Sequence, residues 1–214
     1  MLSRPAPEPS LTLADCDVYL TWPLVVLIHG GFWRPEYDRI HLRPMASALR
    51  DAGWNVLSLE YQREPGNPDA TIDDIRAALG RVHDDAIVMG HSAGGHLALW
   101  AASALGLRAV ALAPVADLQL AQDLDLDTGA VRDFLGVPAA RRPDLDPARM
   151  PPGRVVLIHG ERDTIVPMGL SAAYVAAHPS ARLVTLPEAA HFELIDPRAN
   201  AWPVVIHELQ RLLA

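Results

Sequence analysis

The sequence predicts an α/β fold, a mostly parallel sheet of six to eight strands with helices on both faces. Three observations carry that prediction. Short runs of Val, Ile and Leu recur along the chain and end at Gly, His, Pro or Glu. Stretches with apolar residues at three- and four-residue steps lie between them. The two signals alternate, which is the pattern of βαβ units. Continuous apolar runs are what strands covered on both faces require.

The elements follow in order. Apolar runs at 24–28, 55–59, 86–89, 109–112, 155–158 and 182–186 give six strands. Ile72, Ile75, Leu79 and Val82 mark a helix, with Thr71 and Asp74 spaced as a capping box at its start. Residues 92–105 are rich in Ala and Leu and read as a second helix. Pro167 suits the opening of a helix through Tyr174 to His178. Trp202, Val205, Ile206, Leu209, Leu212 and Leu213 form the stripe of a last helix, with Pro203 in its first turn. Residues 117–152 break the alternation. They begin acidic (Asp117, Asp123, Asp125, Asp127), turn Pro-rich and carry a helical pattern near 131–135. An excursion of that length is expected to be a short lid-like insertion within one domain spanning 1–214. Its aspartates lack the glycine and terminal Glu of a calcium loop, so they read as a solvated face and no metal is expected.

Bulk properties narrow the function. The 214 residues are 50% apolar and 21% charged, enough for a sizeable core. The formal net charge is −8 and no basic stripe appears, which argues against a nucleic-acid partner. The longest apolar stretch, 97–116, is interrupted by Gly106, Arg108 and Pro114, so it reads as helix then strand rather than a membrane span. The opening MLSRPAPEPS has no apolar run after its Arg, unlike a secretory signal. The single cysteine, Cys16, lies between Asp15 and Asp17, which disfavour a thiolate. It cannot form an internal disulfide, so a cytoplasmic location is expected.

The chemistry is carried by three separated segments. Gly90-His91-Ser92-Ala93-Gly94-Gly95 follows an apolar strand and opens an Ala-rich helix. This is a G-x-S-x-G turn in a strand–turn–helix setting. Its serine must sit on a strained bend, and side chains two residues to either side would collide, hence the glycines. His29-Gly30-Gly31-Phe32-Trp33 ends the first strand. Its N–H groups at Gly31 and Phe32, with that of Ala93, are the expected oxyanion donors. A nucleophilic serine also needs a base and an acid, placed after it on later loops. Of nine histidines, His191 follows the last strand and is the expected base. His178 and His207 fall on helices, and His159 is expected to pack the loop of the acid. That acid is Asp163, in the loop after the fifth strand, with Glu161 as runner-up and Asp196 a weaker rival. A carboxylate there would fix the imidazole tautomer and stabilise the imidazolium. Asp163 could otherwise be a helix cap ahead of Pro167.

With these residues in place, the chain resembles the α/β-hydrolase superfamily over nearly its whole length. His29-Gly30-Gly31-Phe32-Trp33 resembles the H-G-G-x-W motif of kynurenine formamidases and related small esterases. Gly90 to Leu97 is similar to their elbow, and Gly160 to Asp163 with Ala190-His191-Phe192 look like their acid and base loops. The resemblance implies Ser92, Asp163 and His191 as catalytic residues. Phe32 stands where lipase relatives carry a third glycine. One or two of the family's leading strands are either absent or formed by residues 11–21.

The expected activity is hydrolysis of carboxylic esters of small acyl groups through an acyl-enzyme, without metal or organic cofactor. Phe32 and Trp33 are expected to wall the acyl pocket, with His91 beside them. Arylformamidase activity is the nearest alternative. A non-catalytic binding protein on a hydrolase scaffold is the alternative of another class. The expected partner is a small-molecule ester or formamide; the oligomeric state, monomer or homodimer, stays open.

Overall fold

The computed structural model describes residues 24–83 and 85–213. Cys16 and the candidate strand region 11–21 lie outside the described residues. Six strands form one sheet: β1 (Leu24–Ile28), β2 (Asn55–Leu59), β3 (Ile87–His91), β4 (Arg108–Leu112), β5 (Arg154–Gly160) and β6 (Arg182–Leu186), in the order β2-β1-β3-β4-β5-β6. Every pairing is parallel, with Ile28 beside Gly90 and His91 beside Leu112. β3 is buried at all five positions, as its continuous apolar run requires, whereas the outer strand β2 leaves Leu57 exposed.

Seven α-helices complete the described chain: α1 (Arg43–Asp51), α2 (Pro68–Leu79), α3 (Ala93–Leu105), α4 (Leu118–Asp123), α5 (Ala130–Leu135), α6 (Gly169–Ala177) and α7 (Trp202–Arg211). They cover both faces of the sheet. Met45 and Leu49 of α1 share one apolar cluster with Val205 and Leu209 of α7. Ile72 and Ile75 of α2, Leu97 of α3 and Tyr174 of α6 belong to the other. α3 is buried continuously from Ala93 to Ala102, which explains why it is apolar all round and built of small residues: it packs close against the sheet centre.

One expectation needs correction. α2 starts at Pro68, ahead of Thr71, so Thr71 and Asp74 are not its capping box. The Thr71 hydroxyl instead donates to the carbonyl of Gln62, and Asp74 accepts from the Gln62 amide at 2.9 Å. Pro68 opens the helix at a position whose N–H has no intrahelical partner anyway. The two polar side chains secure the loop leaving β2. Pro203 does fall in the first turn of α7. No helix among the described residues is long and apolar enough to cross a membrane.

Candidate active site

The parallel sheet places its strand ends together. Ile28, Leu59, His91, Leu112, Gly160 and Leu186 terminate the six strands along one edge. β1 and β3 are neighbours there, yet the chain runs from β1 outward to β2 and from β3 the other way to β4. The crevice at such a reversal is where open α/β sheets take their ligands. The His29 loop leaves β1 at this point, and the Ser92 turn leaves β3.

Ser92 stands between β3 and α3 with φ 59° and ψ −121°, a backbone conformation that L-residues rarely adopt. Strain of this kind costs roughly 1–3 kcal/mol and persists only where the surroundings impose it. Here they do. The Ser92 amide donates to Leu112 at 2.9 Å, and its carbonyl accepts from His96 and Val115 at 3.1 and 3.3 Å. A methyl on Gly90 would overlap the carbonyl of Gly94, and one on Gly94 would overlap that of Ile28. Gly30 is equally constrained: a Cβ there would meet the His91 carbonyl at 2.8 Å and Ser92 Cβ at 2.9 Å. The first loop therefore lies directly against the serine turn. Among the described residues the Ser92 side chain makes no hydrogen bond.

The histidine and the acid meet. His191 Nδ1 donates to Asp163 Oδ2 at 2.6 Å, with both side chains buried. The same Asp163 oxygen lies 3.4 Å from Nε2 of His159, a side chain with no exposure. Asp163 Oδ1 accepts from the amides of Ile165 and Val166, both at 2.9 Å. Burial opposes the charge on this carboxylate. The hydrogen bonds from His159, His191 and Val166 outweigh it and hold its pKa well below the ordinary carboxylate range. Asp163 thus caps its own turn with one oxygen and orients His191 with the other. Glu161 is exposed, and Asp196 pairs with Arg198 at 3.1 Å; neither contacts His191. His159 is locked by Ser171 at 2.7 Å and by the Val166 carbonyl at 2.9 Å, consistent with its expected packing role.

His91 has a structural task that its position in the motif does not reveal. Its Nε2 donates to the carbonyl of His191 at 3.0 Å, and the two rings are 4.4 Å apart. Burial first, then repulsion from His191, pushes its pKa down to about 3, so the ring is neutral at ordinary pH. His91 therefore ties the His191 loop to the serine turn.

The loop after β1 carries Gly31, Phe32 and Trp33 at φ 106°, 48° and 56°, three successive left-handed residues. Among the described residues the amides of Gly31, Phe32 and Ala93 donate to no acceptor, and the last opens α3, where helix amides lack partners. The Tyr61 hydroxyl donates to the His29 carbonyl at 2.8 Å and fixes the start of the loop. His29 stacks on the Tyr61 ring at 4.4 Å. Burial opposes the charge on the neighbouring Glu60, but Arg63, the Arg39 amide and His29 hold its pKa down to about 2. Glu60, Tyr61 and Arg63 carry no signal in the sequence. They form no motif, and only the pairing of β1 with β2 brings them beside His29.

Trp33 is buried rather than open. It stacks on Phe134 of α5 at 4.5 Å and meets the His96 ring edge-on at 5.1 Å. Phe32 is half-buried and packs on the same cluster.

The strand order, the uniformly parallel register and the serine turn between β3 and α3 are shared by one class of proteins, the α/β hydrolases. The chain belongs to this family: the alpha/beta hydrolase family model matches residues 25–154. It is 35% identical over 99 residues to a probable carboxylic ester hydrolase, LipM, of Mycobacterium tuberculosis, a match covering 41% of this chain and 23% of LipM. The matched region thus spans about a quarter of that curated relative's length. Among solved structures, an acetyl ester-xyloside bifunctional hydrolase from Caldicellulosiruptor lactoaceticus superposes with a TM-score of 0.74 at 19% identity, covering 95% of this chain and 91% of that one. Esterase B of Lactobacillus rhamnosis, in a structure with a tributyrin phosphonate, gives 0.73 at 22% identity, covering 91% and 75%. A thermophilic esterase of Thermogutta terrifontis gives 0.70 at 19% identity, covering 94% and 84%. At these identities the likeness establishes the fold.

Proposed function

We propose that the protein is a serine hydrolase of carboxylic esters with small acyl groups, acting through an acyl-enzyme. The observation that carries this reading is the 2.6 Å bond from His191 Nδ1 to Asp163, held to the strained Ser92 turn by the His91–His191 bond. With Nδ1 donating, Nε2 is left unprotonated and available as a base. Ser92 attacks the ester carbonyl as His191 takes its proton, and the amides of Gly31, Phe32 and Ala93 receive the negative charge on the carbonyl oxygen. His191 returns the proton to the departing alcohol. Water then attacks the acyl-serine with His191 as base, releasing the acid and regenerating Ser92. The Ser92–His191 link is the one that closes with substrate, since such bonds are often long in free enzymes.

The names of LipM and of the structural neighbours favour ester over formamide chemistry. The Trp33–Phe134 stack favours a small acyl group, because a wall pinned between two aromatic contacts does not swing aside for a long chain. The test is turnover of acetyl, butyryl and octanoyl nitrophenyl esters beside N-formylkynurenine. The expected order places acetyl or butyryl first. Octanoyl first would contradict the small pocket, and formylkynurenine first would contradict the ester preference.

A further inference from the structure

Residue 34 connects the oxyanion loop to the segment that interrupts the βαβ pattern. The Arg34 amide donates to the Gly31 carbonyl at 2.9 Å and closes the turn that carries Phe32 and Trp33. Its guanidinium reaches away from that turn. Nε donates to Asp127 Oδ2 at 2.6 Å, Nη2 to the Asp127 carbonyl at 2.6 Å, and Nη1 to Asp133 Oδ2 at 3.1 Å. Next to it, Trp33 stacks on Phe134, the neighbour of Asp133. Two adjacent residues of the loop thus grip two adjacent residues in the second half of α5.

Both sides of this contact are strained. Gly31, Phe32 and Trp33 are left-handed on one side; Asp127, Thr128 and Gly129 are left-handed on the other, at φ 47°, 51° and 87°. Non-glycine residues hold such angles only where contacts over-determine them. One exposed ion pair is a weak contact. Three hydrogen bonds from a single planar guanidinium, two of them to one aspartate, are more demanding in direction and position. The far side is anchored in turn: the Gly66 amide donates to the Asp133 carbonyl at 2.7 Å, and Arg142 of the same segment bonds Asp69 of α2 at 2.6 Å.

We propose that Arg34 is a positioning residue, which by bonding Asp127 and Asp133 holds the Gly31–Trp33 backbone with its amides set for the oxyanion. On this view residues 117–152 work as a brace for the oxyanion hole, not as a lid that opens. The inference rests on the serine-hydrolase reading above. It makes a specific claim about kinetics: donors that act on the transition state affect kcat, while a wall that only binds substrate affects KM.

The experiment compares wild type, Arg34→Gln, Arg34→Lys and the double variant Asp127→Asn/Asp133→Asn. It reads kcat and KM for nitrophenyl acetate, the rate of inactivation by a fluorophosphonate, and the thermal midpoint. Arg34→Gln is expected to lower kcat about tenfold with KM within about twofold, and to slow phosphonylation by a similar factor. Arg34→Lys should recover part of the loss, having the charge without the fork. The double variant keeps Arg34 and the bond to the Asp127 carbonyl and removes the charge of two exposed carboxylates; it should lower kcat severalfold, less than Arg34→Gln, with KM unchanged, and it decides the matter if Arg34→Gln does not fold. Folded variants with kcat within twofold of wild type, or with KM raised and kcat unchanged, would overturn the brace alone. A wild-type protein inert to both ester and fluorophosphonate would overturn the hydrolase reading and the inference with it.

Discussion

His159, near the end of β5, and His191, in the loop after β6, converge on one oxygen of Asp163, at 3.4 and 2.6 Å. The carboxylate is thereby held from two sides. In the proposed mechanism, pre-orientation of this kind leaves little reorganisation to be done when His191 gains its proton.

Replacing the acid separates orientation from folding. Asp163→Asn retains the shape but favours the wrong imidazole tautomer, and kcat should fall on the order of 10⁴-fold. His159→Phe removes only the second partner and should cost far less, near tenfold. Steady-state kinetics on nitrophenyl acetate checks both. Equal losses in the two variants would contradict the division of labour.

Gly90→Ala tests the close approach at the serine turn. The added methyl overlaps the Gly94 carbonyl, which is backbone and cannot turn away. Overpacking typically costs about 1–3 kcal/mol, and here the turn itself must shift. A lowered thermal midpoint together with lost activity is expected. A variant with both intact would show that the turn has room it is not seen to have.

Acid should destabilise the fold before the carboxylates titrate. Burial pushes the His96 pKa down to about 4, against 6.5 for a free imidazole, and that of His91 to about 3. The unfolded chain therefore binds protons that the folded chain refuses between those values. Stability is complete above pH ~6.5 and falls as pH drops towards ~4, by on the order of 3 kcal/mol for His96 alone. Asp163 and Glu60 add a later loss, since their depressed pKa values stabilise the fold only while they are charged. Urea midpoints at pH 7, 5.5 and 4.5 should decline stepwise, and His96→Gln should flatten the first step. Constant midpoints across that range would contradict neutral burial of these rings.

The proposed small acyl site predicts that Trp33→Ala trades stability for turnover of longer acyl chains. Truncating a buried tryptophan costs about 3–5 kcal/mol and removes the stack on Phe134. The octanoyl-to-acetyl turnover ratio should rise several-fold. An unchanged ratio would remove Trp33 from the acyl wall.

Local signals were enough to read the sheet and the serine turn. The apolar runs at 24–28, 109–112 and 155–158 fall on β1, β4 and β5, because a strand between helix layers must be apolar over its length; those at 55–59 and 182–186 match the edge strands β2 and β6, which are only partly buried. Ser92 was legible because the glycines at 90 and 94 answer a clash between near neighbours. Chain order points to Asp163 and His191, and the two side chains meet because loops after later strands return to the same sheet edge. The start of α2 is not legible from spacing, because Thr71 and Asp74 have capping-box spacing but their partner is Gln62, on a different segment. Arg34 gave no signal at all: its partners lie 93 and 99 residues away, and a surface aspartate that pairs looks the same in sequence as one that does not.

The most direct test of the central claim is to treat the protein with a fluorophosphonate and locate the adduct by peptide mass spectrometry. A single phosphonyl group on Ser92, lost in Ser92→Ala together with about a millionfold of turnover, is the predicted result. No adduct, or an adduct on another residue with Ser92→Ala still active, would contradict the account.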